Sequence, residues 1–146
     1  MIDKKWIGHE LAATTMVLER GRLCAFARAI GETDPLYTDL TAARDAGHAD
    51  LLVPPTFLFG AELDAGTVDR MLADLDIPIA RILHGEQSFT YHQPVCAGET
   101  VTVKSRIDDI FDKKGGALEF LVKTSEVRND NDELVAELRT VLVVRN

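Results

Sequence analysis

The first third of the chain carries a helical pattern of apolar residues. In the segment "ERGRLCAFARAI" the residues at helical spacing are Leu23, Phe26, Ala27 and Ile30. This spacing predicts an amphipathic helix that ends at Gly31, after which Pro35 prevents the helix from resuming. A second short helix is predicted over 40–46, and the segment 11–18 favours a short strand ahead of both helices, although its alanines weaken that tendency.

The segment "PPTFLFGAELDAG" is apolar on nearly every side of a helix, and a helix with that pattern is buried. We therefore predict a buried helix over 55–65. The prolines at 54 and 55 suit its first turn, where a backbone N–H has no partner within the helix. Gly66 interrupts the pattern, and residues 67–75 continue as a more amphipathic helix.

From residue 79 onward the apolar period changes to that of strands. The four predicted strand segments are 79–93, 99–111, 117–129 and 133–145. The sequences "DKKGG" and "DND", which separate the last three, indicate hairpins. Such strands are longer than the average of about 5–6 residues, and long antiparallel strands twist and curl. The sequence thus predicts an α+β fold in which a strongly curved antiparallel sheet is wrapped around a long central helix.

Composition narrows the class of protein. The chain has 146 residues, 46% of them hydrophobic, which predicts a single domain over 1–146. Its net charge of −8, with acids spread along the chain, argues against nucleic acid or an anionic membrane as a partner. We expect a cytoplasmic protein. Cys24 and Cys96 have no metal-type spacing, so we expect two free thiols and no metal site, with a disulfide as the less favoured alternative.

Three stretches carry a resemblance to a known family. The stretch "IGETDPLYTDLTAARDAG" resembles the loop signature of the MaoC-like dehydratases and (R)-specific enoyl-thioester hydratases. The stretch "LLVPPTFLFG" resembles the start of that family's central helix, and "EQSFTYHQPVCAGETVTV" resembles its next strand and turn. Together they cover about residues 20–110. The resemblance implies the hotdog fold, a hydro-lyase acting on acyl-CoA or acyl-carrier-protein thioesters in fatty-acyl metabolism, and no cofactor.

A narrower resemblance concerns "LHGEQSFTYHQP", which is similar to the N-terminal-type, FAS1-like dehydratase form of the MaoC domain. That form occurs in one subunit of heterodimeric mycobacterial-type 3-hydroxyacyl-carrier-protein dehydratases. Such domains often lack catalytic residues and pair with a catalytic subunit. The resemblance therefore implies either a homodimer or a heterodimer with a catalytic MaoC-like subunit.

The loop departs from the family pattern at the residues that carry out catalysis. In catalytic members a carboxylate acts on water, and a His five residues later completes the dyad. Here Glu32 stands at the carboxylate position, Asp34 at the position of an Asn, and Tyr37 at that of the His. The resemblance implies catalytic positions at Glu32 and Tyr37, with Asp34 in support. The alternatives are a vestigial site, or a helix end and proline turn that explain Gly31, Asp34 and Pro35 without any chemistry.

Hydration of an enoyl thioester requires a base for the water and donors for the thioester oxygen. A carboxylate can accept the water proton, whereas a tyrosine with a pKa near ~10 shuttles protons poorly at pH 7 but can hold a water. Backbone N–H groups at a helix start suit the oxygen. Pro54 and Pro55 lack such groups, so Thr56 and Phe57 remain as donors, and we predict that Pro55, Thr56 and Phe57 line the substrate site.

Further candidates for substrate binding lie on the first long strand. Gly85 in its interior indicates a bulge or a close backbone approach. That makes His84, Glu86 and Gln87 candidates for lining a cleft at a subunit boundary, with a His–carboxylate pair as an equally plausible alternative for His84.

Three functions stay open at this point. We favour a hydratase or dehydratase, with the catalytic His contributed by another chain. The second is a hotdog module that only binds an acyl thioester or supports a partner. The third is a hotdog thioesterase with Glu62 or Asp64 of the central helix as its acid. The first two predict a dimer, because a long edge strand needs to be covered.

Overall fold

Five antiparallel strands form one sheet in the computed structural model, which describes residues 1–146. The strands are β1 (Thr14–Val17), β2 (Ile82–Tyr91), β3 (Thr100–Lys113), β4 (Leu118–Arg128) and β5 (Leu134–Arg145). The α helices are α1 (Arg20–Ala29), α2 (Leu40–Asp45), α3 (Gly60–Asp64) and α4 (Thr67–Asp74). The strand order is β1-β3-β4-β5-β2, which leaves β1 and β2 at the two edges. No helix has the length and apolar character needed to cross a membrane.

The predicted secondary structure is largely confirmed. Helices α1 and α2 and all five strands lie where the sequence pattern puts them, and both predicted hairpins join antiparallel neighbours. Helix α1 ends at Ala29, and Gly31 follows its C-cap residue with a φ of 74°. The N–H groups of Gly31 and Glu32 donate to the carbonyls of Arg28 and Ala27 at 3.1 and 2.9 Å. This closure satisfies two carbonyls that the helix end would otherwise leave open.

The central helix is shorter and more broken than predicted. Thr56 adopts a left-handed conformation with a φ of 71°, so no helix begins at Pro55. Residues Phe57–Phe59 form a 3₁₀ turn that leads into α3, and α3 ends before Gly66. Gly66 has a φ of 65° and separates α3 from α4. The two prolines at the start and this left-handed glycine at the end account for the short helix.

The core consists of two apolar clusters with a polar row between them. One cluster surrounds α1 and α3, and the other surrounds α4. On the buried face of β3, β4 and β5, polar residues lie between the part of the strand that belongs to one cluster and the part that belongs to the other. The polar residues of this row are Ser105, Lys123, Ser125 and Thr140, all buried.

A fully buried ion pair joins this row to α3. Glu62 and Lys123 both have a relative exposure of 0%, and Lys123 Nζ lies 2.6 Å from each carboxylate oxygen of Glu62. The hydroxyls of Ser105 and Ser125 also donate to Glu62. Burial lowers the pKa of Lys123 below its ordinary value, while the Glu62 carboxylate acts in the opposite direction. The segment predicted to be apolar on nearly every side thus contains a buried charge.

Candidate functional site

Strand β2 is an edge strand that the chain leaves open on both faces. Seven of its ten residues are exposed, and only its start and two positions near its end are partly covered. Its side chains His84, Gln87 and Tyr91 face the helices, because their partners on β5 are Leu142, Thr140 and Ala136, which are buried on that side. The strand therefore presents a polar and aromatic row beside the central helix.

The predicted bulge at Gly85 is confirmed. The pairing of β2 with β5 shifts by one residue between His84 and Glu86. A Cβ on Gly85 would lie 2.9 Å from Val143 Cγ2 and 3.2 Å from the carbonyl oxygen of Val141, so the backbone approaches β5 too closely for a side chain. The bulge keeps His84 on the same face as Gln87 despite the odd spacing between them.

Two of the three substrate-binding candidates on β2 come together, and the third does not. The His84 ring lies 5.3 Å from the ring of Phe59 at the start of the central helix. Its Nε2 atom is 3.1 Å from Gln87 Oε1, which accepts a hydrogen bond from Thr140 at 2.8 Å. Glu86 lies on the opposite face of the sheet, where it pairs with Arg139 at 3.0 Å.

Both carboxylates of the 31–37 loop bind the loop's own backbone. Glu32 Oε1 accepts from the N–H groups of Thr33 and Asp34 at 2.8 and 2.9 Å. Asp34 Oδ1 accepts from the Leu36 N–H at 3.0 Å and caps the 3₁₀ turn of Pro35–Tyr37. The role of Asp34 in the proline turn therefore explains this residue without any chemistry. Glu32 keeps one oxygen, Oε2, that makes no hydrogen bond within the chain.

Tyr37 lies close to these carboxylates. Burial raises the pKa of its phenol above the ordinary value, and the charges of Glu32 and Asp34 act in the same direction. Tyr91 of β2 adds a smaller contribution, which puts the two tyrosines in one neighbourhood. A phenol with a raised pKa stays neutral near pH 7. A neutral phenol can donate a hydrogen bond, but it exchanges protons poorly near pH 7.

The predicted donors at the helix start already have partners. The Thr56 N–H donates to the phenol oxygen of Tyr91 at 2.9 Å, and the Phe57 N–H donates to the carbonyl of Pro54 at 3.2 Å. The Phe57 side chain is buried and packs edge-on against Phe26. Of the three predicted residues at the helix start, only Pro55 and Thr56 are exposed.

Sequence reasoning missed Tyr91. It is the last residue of β2 and shares the helix-facing side with Phe89, whose ring it stacks on at 5.9 Å. The alternation of side chains along a strand was the available signal, since Gln87, Phe89 and Tyr91 have the same parity. The contact with Thr56 joins residues 35 positions apart and left no local trace in the sequence.

The acids that a thioesterase would use are not available at this site. Glu62 is fully buried and held by Lys123 and two serines. Asp64 is at the surface, where it forms an ion pair with Arg22. A surface groove of about 860 Å³ is also separate, because no predicted site residue lines it. It lies over the outer face of the sheet, between charged side chains such as Lys104, Arg106 and Arg139.

Residues 5–138 match the model of the family described as FAS1-like, dehydratase domain region. The fold and this match define the class: the chain is a MaoC-like hotdog domain and belongs to that dehydratase family. The chain is also 34% identical over 145 residues to a UPF0336 protein of Streptomyces griseus, covering 99% of this chain and 95% of the relative. The family resemblance and the fold expected from it are confirmed.

Solved structures agree with this class. The HadBC (3R-hydroxyacyl-ACP dehydratase) complex of Mycobacterium tuberculosis contains a chain that is 27% identical, with a TM-score of 0.81 and coverage of 94% of this chain and 96% of that one. A protein described as a MaoC-like dehydratase is 22% identical, with a TM-score of 0.82. The match covers 97% of this chain but 42% of that longer chain, and it shows the fold alone.

Proposed function

We propose that this chain is the substrate-binding half of a 3-hydroxyacyl-thioester dehydratase, which is also an (R)-specific enoyl-thioester hydratase in the reverse direction. The substrate would be an acyl-CoA or acyl-carrier-protein thioester held beside the open edge of β2. The observation that carries the proposal is the position of the family's loop. Tyr37 lies near Glu32 on one side and near Tyr91 on the other, and Tyr91 ends an edge strand that is exposed on both faces.

The chemistry of the loop favours a division of labour between two subunits. Glu32 gives one carboxylate oxygen to the loop backbone, and the neutral phenol of Tyr37 replaces the imidazole of the family's dyad. A phenol that stays protonated cannot exchange protons near pH 7 as an imidazole does. A second MaoC-like subunit with an intact Asp/His loop would supply the proton transfer, while this chain would bind the acyl thioester.

The open edge of β2 gives such a subunit a place to attach. An unpaired edge strand is a template for another strand, and a partner that extends the sheet would pair with the open edge of β2. A heterodimer fits better than a homodimer, because a homodimer would carry Tyr37 in both copies of the loop. The name of the HadBC complex describes a dehydratase built from more than one kind of subunit, which supports the proposal by similarity.

The test is the hydration of crotonyl-CoA by the purified chain, alone and together with a co-purifying subunit that carries an intact Asp/His loop. We expect the chain alone to be inactive and the pair to be active. Hydration by the chain alone that Glu32→Gln abolishes would show instead that Glu32 is a working base. Glu19→Gln is the matched control, because Glu19 is exposed and its side chain makes no hydrogen bond.

An inert chain in both preparations that still binds acyl-CoA would favour the alternative of a non-catalytic binding module. The thioesterase alternative has no support from the geometry, since Glu62 is fully buried and Asp64 is paired with Arg22.

A further inference from the structure

Tyr91 and Thr56 form a contact that the proposed division of labour does not explain. Tyr91 comes from the end of β2, and Thr56 precedes the central helix. The Thr56 N–H donates to the phenol oxygen of Tyr91 at 2.9 Å. The Tyr91 ring is held in place by Phe89, which stacks on it with an interplanar angle of 1°. A backbone amide at a helix start is thus bound by a side chain from the open edge strand.

The backbone of Thr56 is strained in making this contact. Its φ of 71° lies in the left-handed region, which is unfavourable for a β-branched residue. Strained residues of this kind are found more often at functional sites, where the surrounding structure holds them. The amides on either side do not compete for the same role, since Pro55 has no N–H and the Phe57 N–H donates within its own turn.

The phenol that accepts this hydrogen bond still has a proton to give. A tyrosine hydroxyl is both acceptor and donor, and the Tyr91 hydroxyl donates to no group of the chain. Tyr91 is 49% exposed, so a ligand at the edge of β2 has access to it. A hydrogen bond received from the Thr56 amide polarises the phenol and strengthens the hydrogen bond that it can donate.

We propose that Tyr91 is the donor to the thioester carbonyl oxygen of the substrate and carries the polarisation of the Thr56 amide to it. The inference rests on the proposed function. The amide donates a hydrogen bond to the phenol oxygen, the phenol donates a hydrogen bond to the thioester oxygen, and no proton is transferred. The negative charge that grows on this oxygen is then stabilised through a tyrosine in place of a direct backbone N–H.

Tyr37 is less suited to this role than Tyr91. Burial raises the pKa of Tyr37, the carboxylates of Glu32 and Asp34 act in the same direction, and these two charges would repel a developing oxyanion beside it. The Tyr91 hydroxyl instead receives a hydrogen bond from an N–H group, whose dipole favours negative charge. Tyr91 is therefore the better donor to the thioester oxygen, and Tyr37 is the better donor to a water.

The test uses Tyr91→Phe, which keeps the ring and its stacking on Phe89 and removes only the hydroxyl. The control is Thr90→Val, which removes a hydroxyl from the opposite face of the same strand. The full chain, in the assembly in which it purifies, is mixed with butyryl-CoA labelled with ¹³C at the thioester carbonyl. Butyryl-CoA cannot be hydrated, so infrared difference spectra report on the bound carbonyl alone, and calorimetry gives the affinity.

We expect binding to wild type and to Thr90→Val to lower the carbonyl stretching frequency, and Tyr91→Phe to abolish this shift. The affinity of Tyr91→Phe should fall by about tenfold or less, as for one hydrogen bond. Its hydration of crotonyl-CoA should fall roughly 100-fold in an active assembly, as for one lost oxyanion donor.

An unchanged frequency shift in Tyr91→Phe would overturn the role of Tyr91 and leave the proposed function standing. So would wild-type binding without any frequency shift. A wild-type assembly that binds no acyl thioester would overturn the proposed function and this inference with it.

Discussion

The buried pair of Glu62 and Lys123 offers the most direct test of how the polar row stabilises the fold. Replacing Lys123 with Met keeps a side chain of similar length and removes the charge. The Glu62 carboxylate would then lie fully buried with only Ser105 and Ser125 as partners. A buried carboxylate without its cation has lost its hydration, and no neighbouring positive charge offsets that loss.

The expected cost follows from this burial. Removing one partner of a fully buried ion pair costs about 3–5 kcal/mol. The free energy of unfolding of a domain is roughly 5–15 kcal/mol, so the loss is a large part of the total. For a chain of this size the melting temperature falls by about 2–4 °C per kcal/mol, which gives a decrease of roughly 6–20 °C for Lys123→Met.

Urea unfolding at pH 7, followed by circular dichroism, measures this loss as a lower midpoint at constant slope. The matched control is Lys5→Met, the same substitution in an exposed pair with Asp3. We expect no measurable change for Lys5→Met. The double variant Glu62→Gln with Lys123→Met should recover most of the stability, because it leaves no unpaired charge.

Two results would show that the unpaired Glu62 charge does not cause the loss of stability. One is a Lys123→Met variant with the same midpoint as Lys5→Met. The other is a double variant that is less stable than Lys123→Met, since that would mean that the uncompensated charge is not the source of the loss.

The stability difference between wild type and Lys123→Met should also depend on pH. Because burial lowers the pKa of Lys123, the unfolded chain binds more protons than the folded chain between that lowered pKa and the ordinary lysine value of about 10.4. Stability from this group therefore rises with pH across that window. The difference should grow as the pH is raised toward 10, and a difference that shrinks there would contradict the direction of the shift.

Three further predictions concern single positions. Thr56→Gly should raise the free energy of unfolding by about 1 kcal/mol, because relief of a left-handed φ outweighs the entropy cost of glycine; a loss of stability in urea would contradict this. Gly85→Ala should destabilise by about 1–3 kcal/mol, because its Cβ meets β5, whereas Gly21→Ala in α1 meets nothing and should be neutral or stabilising. Equal effects of the two would refute the close approach at the bulge. Leu83→Lys on β2 should weaken association in light scattering, while Leu63→Lys, similarly exposed on α3, should not; the reverse would place the interface away from the edge of β2.

The features that were predictable from the sequence depend on local backbone chemistry. The end of α1 just before Gly31 and the bulge at Gly85 follow from what glycine permits. The strands follow from side-chain alternation. The same alternation held a signal for Lys123, which shares its parity with Leu121 and Val127 and therefore lies on the buried face of β4.

The features that were not predictable depend on contacts between distant elements. Lys123 and Glu62 are 61 positions apart. From the sequence alone, an acid such as Glu62 on a helix is expected to be exposed, because nothing local indicates that β4 packs over it. The length of the central helix also escaped prediction, because Thr56 adopts a conformation that its residue type disfavours. The Thr56 N–H donates to Tyr91, which lies 35 positions further along the chain.

The most direct test of the proposed division of labour compares two assemblies in the hydration of crotonyl-CoA. In one, this chain carries Glu32→Gln; in the other, the dyad His of the partner subunit is replaced by Ala. We expect the first assembly to keep most of its kcat and the second to lose nearly all of it. Loss of activity in the Glu32→Gln assembly, with activity retained in the other, would contradict this division of labour and make Glu32 the working base.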